Sequence, residues 1–212
     1  MIPKRKKIIF VVGARPNFMK MAPILNCFKQ KKDLFETITV HTGQHYDDNM
    51  SSNILSDLDF PEPDYFLNVG GGTHAKQTSQ VMIKFEDICL NICPSIVVLA
   101  GDVNSTLACA IVASKLHVKI AHIESGLRSF DRKMPEEINR IIVDSISDLL
   151  FTTESSGNSN LLKEGISTSK IYFVGNTMID SLVKYIPKAQ KMKPWIKYGF
   201  SGNDYILLTL HR

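Results

Sequence analysis

The sequence predicts an α/β fold, a parallel sheet with helices on both faces. Two observations carry this. Short apolar, β-branched runs alternate along the chain with segments of helical period. The runs also stop abruptly in polar, chemically capable residues. In an open parallel sheet the carboxyl ends of the strands are where ligands bind.

The elements follow in order. IIFVV at 8–12 is the first strand and runs into Gly13, Ala14, Arg15 and Pro16. A helix fits 19–31, ETITVHT at 36–42 is a second strand, and 47–58 has the look of a short helix. Residues 61–73 are a Pro/Gly-rich loop, and 74–93 a long amphipathic helix. SIVVLA at 95–100 is a strand that meets Gly101 and Asp102 and leads to a helix over 104–116. VKIAHI at 118–123 is a strand that meets Glu124, Ser125 and Gly126. A helix over 135–147 precedes a strand at 149–153, and a helix over 156–164 precedes a strand at 171–174. A helix over 177–189 follows. Residues 187–204, rich in Pro, Lys, Gly and Asn, read as a linker before a last strand at 205–210 that reaches His211 and Arg212. A strand there with no helix to cover it reads as the opening of a further α/β unit. The expected division is therefore a Rossmann-like domain over 1–175, then a crossing helix, linker and first strand of a truncated second domain over 176–212.

A chain of 212 residues suits one or two domains, and 44% hydrophobic with 22% charged residues is ordinary globular composition. The formal charge of +4 gathers largely near 4–7 and 188–197. It favours anionic ligands weakly, and no basic stripe interleaved with aromatics marks a nucleic-acid platform. No run approaches the ~18–20 apolar residues of a membrane span. The run at 8–12 is too short for a secretory h-region, and Arg15 breaks it. Cys27, Cys89, Cys93 and Cys109 lie in apolar helical segments without further ligands nearby. They read as reduced core cysteines of a cytoplasmic protein, with no metal site.

Several segments can carry chemistry, each with a plain structural reading beside it. The turn at 13–20 (GARPNFMK) offers a helix N-terminus, Arg15 and Lys20 to an anion. It is neither a Walker loop nor G-x-G-x-x-G, and a simple strand-to-helix turn also explains it. Asp102 either caps the following helix or presents a carboxylate to a ligand. Alternation puts His122 and Glu124 on the same side of their strand. Glutamate is depleted in sheets, so Glu124 is either functional or paired with Arg128. Pro135, Glu136 and Glu137 suit a helix start, with Glu136 and Arg140 an i, i+4 pair. That leaves the polar loop 129–133 before it unsupported. Gln44, His45 and His211 are polar residues at predicted strand ends.

Together these segments resemble the non-hydrolysing UDP-N-acetylglucosamine 2-epimerase family. The match runs through GARPNFMKMAP (13–23), TGQH (42–45), GDVNST (101–106), HIESGLR (122–128), PEEINR (135–140), GNTMID (175–180) and LTLHR (208–212). The resemblance implies the first half of a two-domain, glycosyltransferase-B-like architecture with a cleft between two Rossmann-like units. It implies reversible conversion of UDP-GlcNAc to UDP-ManNAc by elimination and re-addition of UDP, with no cofactor and no metal. Asp102, Glu124, Glu136 and His211 match the family's catalytic groups. Arg15 and Lys20 match positions near the substrate, and Gln44 and His45 a segment near a second, activating sugar-nucleotide site. Ala14 stands where many members have Thr. The resemblance also implies a homodimer for the full-length form and a place in polysaccharide biosynthesis.

The fragment by itself is expected to be nearly inactive, since half of the cleft is missing. Two other readings differ in class. One is a nucleotide-sugar-binding module without turnover, the other a glycosyltransferase of similar architecture that needs an acceptor.

Overall fold

The structure, a computed structural model, describes residues 5–43, 58–201 and 205–210. Its centre is one parallel sheet of seven strands: β1 (Lys6–Val12), β2 (Phe35–His41), β3 (Tyr65–Phe66), β4 (Ile96–Ala100), β5 (Lys119–Ser125), β6 (Leu149–Thr152) and β7 (Ile171–Phe173). Their spatial order is β3-β2-β1-β4-β5-β6-β7, so the Rossmann-like expectation holds. Helices connect them: α1 (Arg15–Lys29), α2 (His74–Ile92), α3 (Asn104–Lys115), α4 (Pro135–Ile146), α5 (Ser155–Lys163), α6 (Thr177–Met192) and the single turn α7 (Pro194–Lys197).

The apolar runs are continuous because the sheet is covered on both faces. On β1, Ile9 and Val11 face α2 and α3 and join Val40, Phe85, Leu99, Cys109 and Val143. Ile8, Phe10 and Val12 face α1 and join Phe18, Met21, Leu25, Ala121 and Ile123. Burying either set removes roughly 1.5–3 kcal/mol of unfavourable hydration per large side chain. The order reverses at β1, whose neighbours are β2 on one side and β4 on the other. The loops after β1 and β4 therefore diverge to opposite faces and open a crevice between them, the usual ligand position in such sheets.

Four expectations change. Residues 205–210 form no strand; among the described residues they join no ladder, and Ile206, Leu207, Leu208 and Leu210 are exposed. A β run needs a ladder partner, and propensity alone does not supply one. The loop predicted at 61–73 contains β3, whose two residues pair with Val40 and His41 but are too few to leave a periodic signal. The linker predicted from 187 is helical to Met192 and again at 194–197; Pro187 is tolerated on the exposed side of α6. Cys27 and Cys93 are exposed, while Cys89 and Cys109 are buried. Cys93 lies outside the helix, because α2 ends at Ile92 and Cys93 turns left-handed at φ 52°. The helix expected at 47–58 falls almost wholly outside the described residues.

Candidate active site

The crevice at the β1/β4 switch point is laced by side chains from several elements. Asn17, in the first turn of α1, accepts from the amides of Gly13 and Ala14 at 3.3 and 2.8 Å and donates to the Ala100 carbonyl at 2.9 Å. That one amide ties the loop after β1 to the end of β4. Gly101 follows with φ +71°, a left-handed turn that glycine adopts without a Cβ penalty. A Cβ placed there would lie 3.4 Å from Lys20 Nζ and 3.9 Å from Glu124 Oε2. Lys20 and Glu124 therefore meet directly over Gly101, where they form an ion pair with little solvent around either.

Asp102 lies on the far side of the same turn. It does not cap α3. The cap position is Val103, which makes no side-chain cap bond. Asp102 Oδ2 instead accepts from Arg140 Nε at 3.0 Å, and its backbone carbonyl accepts from Asn139 Nδ2 at 2.7 Å. The Asp102 side chain stays 34% exposed, enough to meet a ligand. Glu136 is half-buried in the first turn of α4, on the helix face of Arg140 one turn later. Arg15 is the first residue of α1. Gln44, His45 and His211 lie outside the described residues.

Sequence reasoning misplaced Glu124. The register slips between Ile123 and Ser125, so Glu124 is the extra residue of a β-bulge, at φ +66°. Strand alternation would leave it on the face of His122; the bulge turns it to Lys20 on the α1 side. Arg128 is consequently not its partner. It is buried against Asp144 at 2.8 Å and forks onto Glu164 at 2.8 and 2.6 Å. Glu137, not singled out as a site residue, supports the loop at 129–133 by accepting from the Ser129 and Phe130 amides at 2.9 and 3.0 Å. Burial pushes its carboxyl upward. Those bonds, the Ser129 hydroxyl and the Arg140 charge outweigh that and hold it below the usual range. Glutamate at the third helical position after a polar loop is the signal that marked it.

An apolar cleft of about 550 Å³ between α1 and α6 is lined by Met19, Leu58, Met178, Leu182, Tyr185 and Met192. Among the described residues that line it, none is a carboxylate that could meet a sugar. The polar edge of the sheet is where the paired charges gather.

A family model described as UDP-N-acetylglucosamine 2-epimerase matches residues 28–212. The chain belongs to that family. A UDP-N-acetylglucosamine 2-epimerase homolog from Methanococcus maripaludis is 47% identical over 97% of the chain and 57% of its own length. A UDP-2,3-diacetamido-2,3-dideoxy-D-glucuronate 2-epimerase from Pseudomonas aeruginosa is 45% identical with the same coverage. The solved Methanocaldococcus jannaschii UDP-GlcNAc 2-epimerase, in complex with UDP-GlcNAc and UDP, superposes with a TM-score of 0.86 at 42% identity, over 91% of this chain and 52% of that one. The chain thus spans little more than half the length of these epimerases.

Proposed function

We propose that this chain supplies one wall of an epimerase site for UDP-GlcNAc, inverting C2 to give UDP-ManNAc. The observation that carries the reading is that two cation-paired carboxylates flank Gly101 at the switch point, Glu124 with Lys20 on the α1 side and Asp102 with Arg140 on the α4 side.

The chemistry demands such groups. A C2–H beside an anomeric carbon, with no adjacent carbonyl, is barely acidic. It becomes removable as the C1–O bond to UDP breaks and positive charge grows at C1. The C2–H electron pair becomes the C1=C2 bond of a glycal-like intermediate, a carboxylate takes the proton, and UDP leaves with the C1–O pair. Re-addition of UDP with protonation from the other face inverts C2. Asp102, Glu124 and Glu136, with His211, are the proton-handling and charge-stabilising groups in this reading. The same reading assigns Lys20 and Arg15 to binding the diphosphate or the sugar, and Gln44 and His45 to a second sugar nucleotide. The reaction consumes no redox cofactor. The whole protein is read as a cytoplasmic homodimer, with 1–175 as the first domain and 176–212 leading into the second; among the described residues no helix is long and apolar enough to cross a membrane.

The Pseudomonas relative favours a second substrate reading, a UDP-diacetamido-uronate, at nearly the same identity. One experiment separates these. The 212-residue chain and the same chain joined to the remaining segment of the Methanocaldococcus relative are each given either sugar nucleotide in D₂O with no acceptor. The joined chain is expected to form UDP-ManNAc from UDP-GlcNAc with deuterium at C2, and the short chain to stay near background. No deuterium at C2, dependence on an acceptor, or release of free ManNAc contradicts the reading. Preference for the uronate moves it to the second substrate.

A further inference from the structure

His122 is fully buried on β5, two residues before the bulge, and no step above uses it. Its Nδ1 lies 2.6 Å from Asp144 Oδ1 on α4, and its Nε2 lies 2.9 Å from the Gly101 carbonyl. Both partners are acceptors only. A neutral imidazole has one N–H and one bare nitrogen, so it would set a lone pair against one of these oxygens. Only the imidazolium satisfies both. Asp144 is itself completed by the Gly126 amide at 3.0 Å and by Arg128 at 2.8 Å, and Arg128 by Glu164. The charged groups that act on the ring are Asp144 from α4 in direct contact, Arg128 from the loop after β5 through Asp144, and at longer range the Glu124 carboxylate, turned to the α1 side by the bulge.

We propose that His122 is a positioning residue held as a cation, whose Nε2–H pins the Gly101 carbonyl and thereby sets the turn that presents Asp102 at the candidate site. The carbonyls on either side are held from elsewhere, Ala100 by Asn17 and Thr106 and Asp102 by Asn139. Gly101 between them has no side chain to wedge it; its amide reaches the Ile123 carbonyl at a long 3.3 Å, and its carbonyl meets His122. The bond from His122 fixes the peptide that joins Gly101 to Asp102. Asp144, Arg128 and Glu164 form the relay that keeps the imidazolium tolerable in a buried place. Burial, the strongest influence on the ring, pushes its pKa down; the Asp144 charge and hydrogen bond with the Gly101 carbonyl outweigh it, in line with the geometry.

The importance of the turn for turnover rests on the epimerase reading; the cationic ring and its grip on Gly101 do not. The test uses the 212-residue chain, labelled with ¹⁵N and ¹³C. Both His122 ring nitrogens are expected to resonate as protonated above the ordinary histidine value of 6.5, where a free histidine has lost its proton. His122→Gln is expected to shift and broaden the amides of Gly101, Asp102 and Val103 and the Asp102 carboxyl carbon, and to leave α5 and α6 amides in place. A role confined to stability would lower the melting temperature without that local signature. If His122→Gln does not fold, the double variant His122→Gln, Asp144→Asn removes both charges together and reads the same resonances. A bare ring nitrogen at neutral pH, or an unchanged Gly101 turn in a folded variant, overturns the proposal. Absence of C2 exchange in the joined chain, with these resonances as expected, overturns the epimerase reading alone.

Discussion

A methyl group at position 126 has nowhere to go. Gly126 sits at φ +78°, and a Cβ there would fall 2.4 Å from the Gly157 carbonyl oxygen, which is backbone and cannot rotate away. Gly126→Ala is expected to destabilise by roughly 2–4 kcal/mol, read as a lowered urea midpoint, because strain and overlap add. Titration makes a second prediction at this scale. Asp144 and Glu137 are held below their unfolded values of 3.8 and 4.5: burial pushes both up, but for Asp144 the His122 and Arg128 charges prevail and for Glu137 the Ser129 and Phe130 amides do. Their stabilisation is present above those values and is lost as pH falls through the folded ones. His122 runs the other way. Its stabilisation is complete below 6.5 and is lost as pH rises through the raised folded value. Urea midpoints across pH should therefore fall on both limbs, and His122→Gln should flatten the alkaline one. An alkaline limb that survives that substitution would show another group to be responsible.

At the scale of elements, Glu137 ties the start of the loop before α4 to the helix. Glu137 accepts from Ser129 and Phe130 while Arg140 bridges it to Asp102. Glu137→Gln is expected to cost about 1–3 kcal/mol and to speed hydrogen exchange at the Ser129 and Phe130 amides, with α2 and α3 unaffected. Exchange rates unchanged at those two amides would show that the loop holds itself. The strands and helices were largely legible, because a sheet buried on both faces writes continuous apolar runs and the helices between them keep a 3.6-residue period. The Gly13, Gly101 and Gly126 turns were legible for the same reason, since each closes such a run. Glu124 was not. A bulge is one extra residue whose signature is backbone geometry, and strict alternation assigned its side chain to the wrong face. The partners of Arg128 were equally hidden, because Asp144 and Glu164 stand 16 and 36 residues away and meet it only through packing. At 205–210 the pattern of a strand was present but the neighbour that makes a strand was not.

For the whole molecule, α6 docks on α1 through the Ser181 hydroxyl, which donates to the Met19 carbonyl at 2.7 Å. The helix still exposes Ile179, Leu182 and Val183, and the segment at 205–210 exposes Ile206, Leu207, Leu208 and Leu210. Exposed apolar side chains in such number bind hydrophobic dyes. The 212-residue chain should brighten an anilinonaphthalene sulfonate probe in the native state, and Leu182→Lys with Val183→Glu should reduce the signal without lowering the melting temperature. A signal that persists in that variant would place the surface elsewhere.

The account stands on ligand placement at one edge of the sheet. The most direct measurement is amide chemical-shift mapping of the labelled 212-residue chain during a UDP-GlcNAc titration. Perturbations concentrated at Asn17, Lys20, Gly101, Asp102, Glu124 and Glu136 are the predicted result. Saturable shifts confined to the α1/α6 cleft or to the opposite edge of the sheet would contradict it.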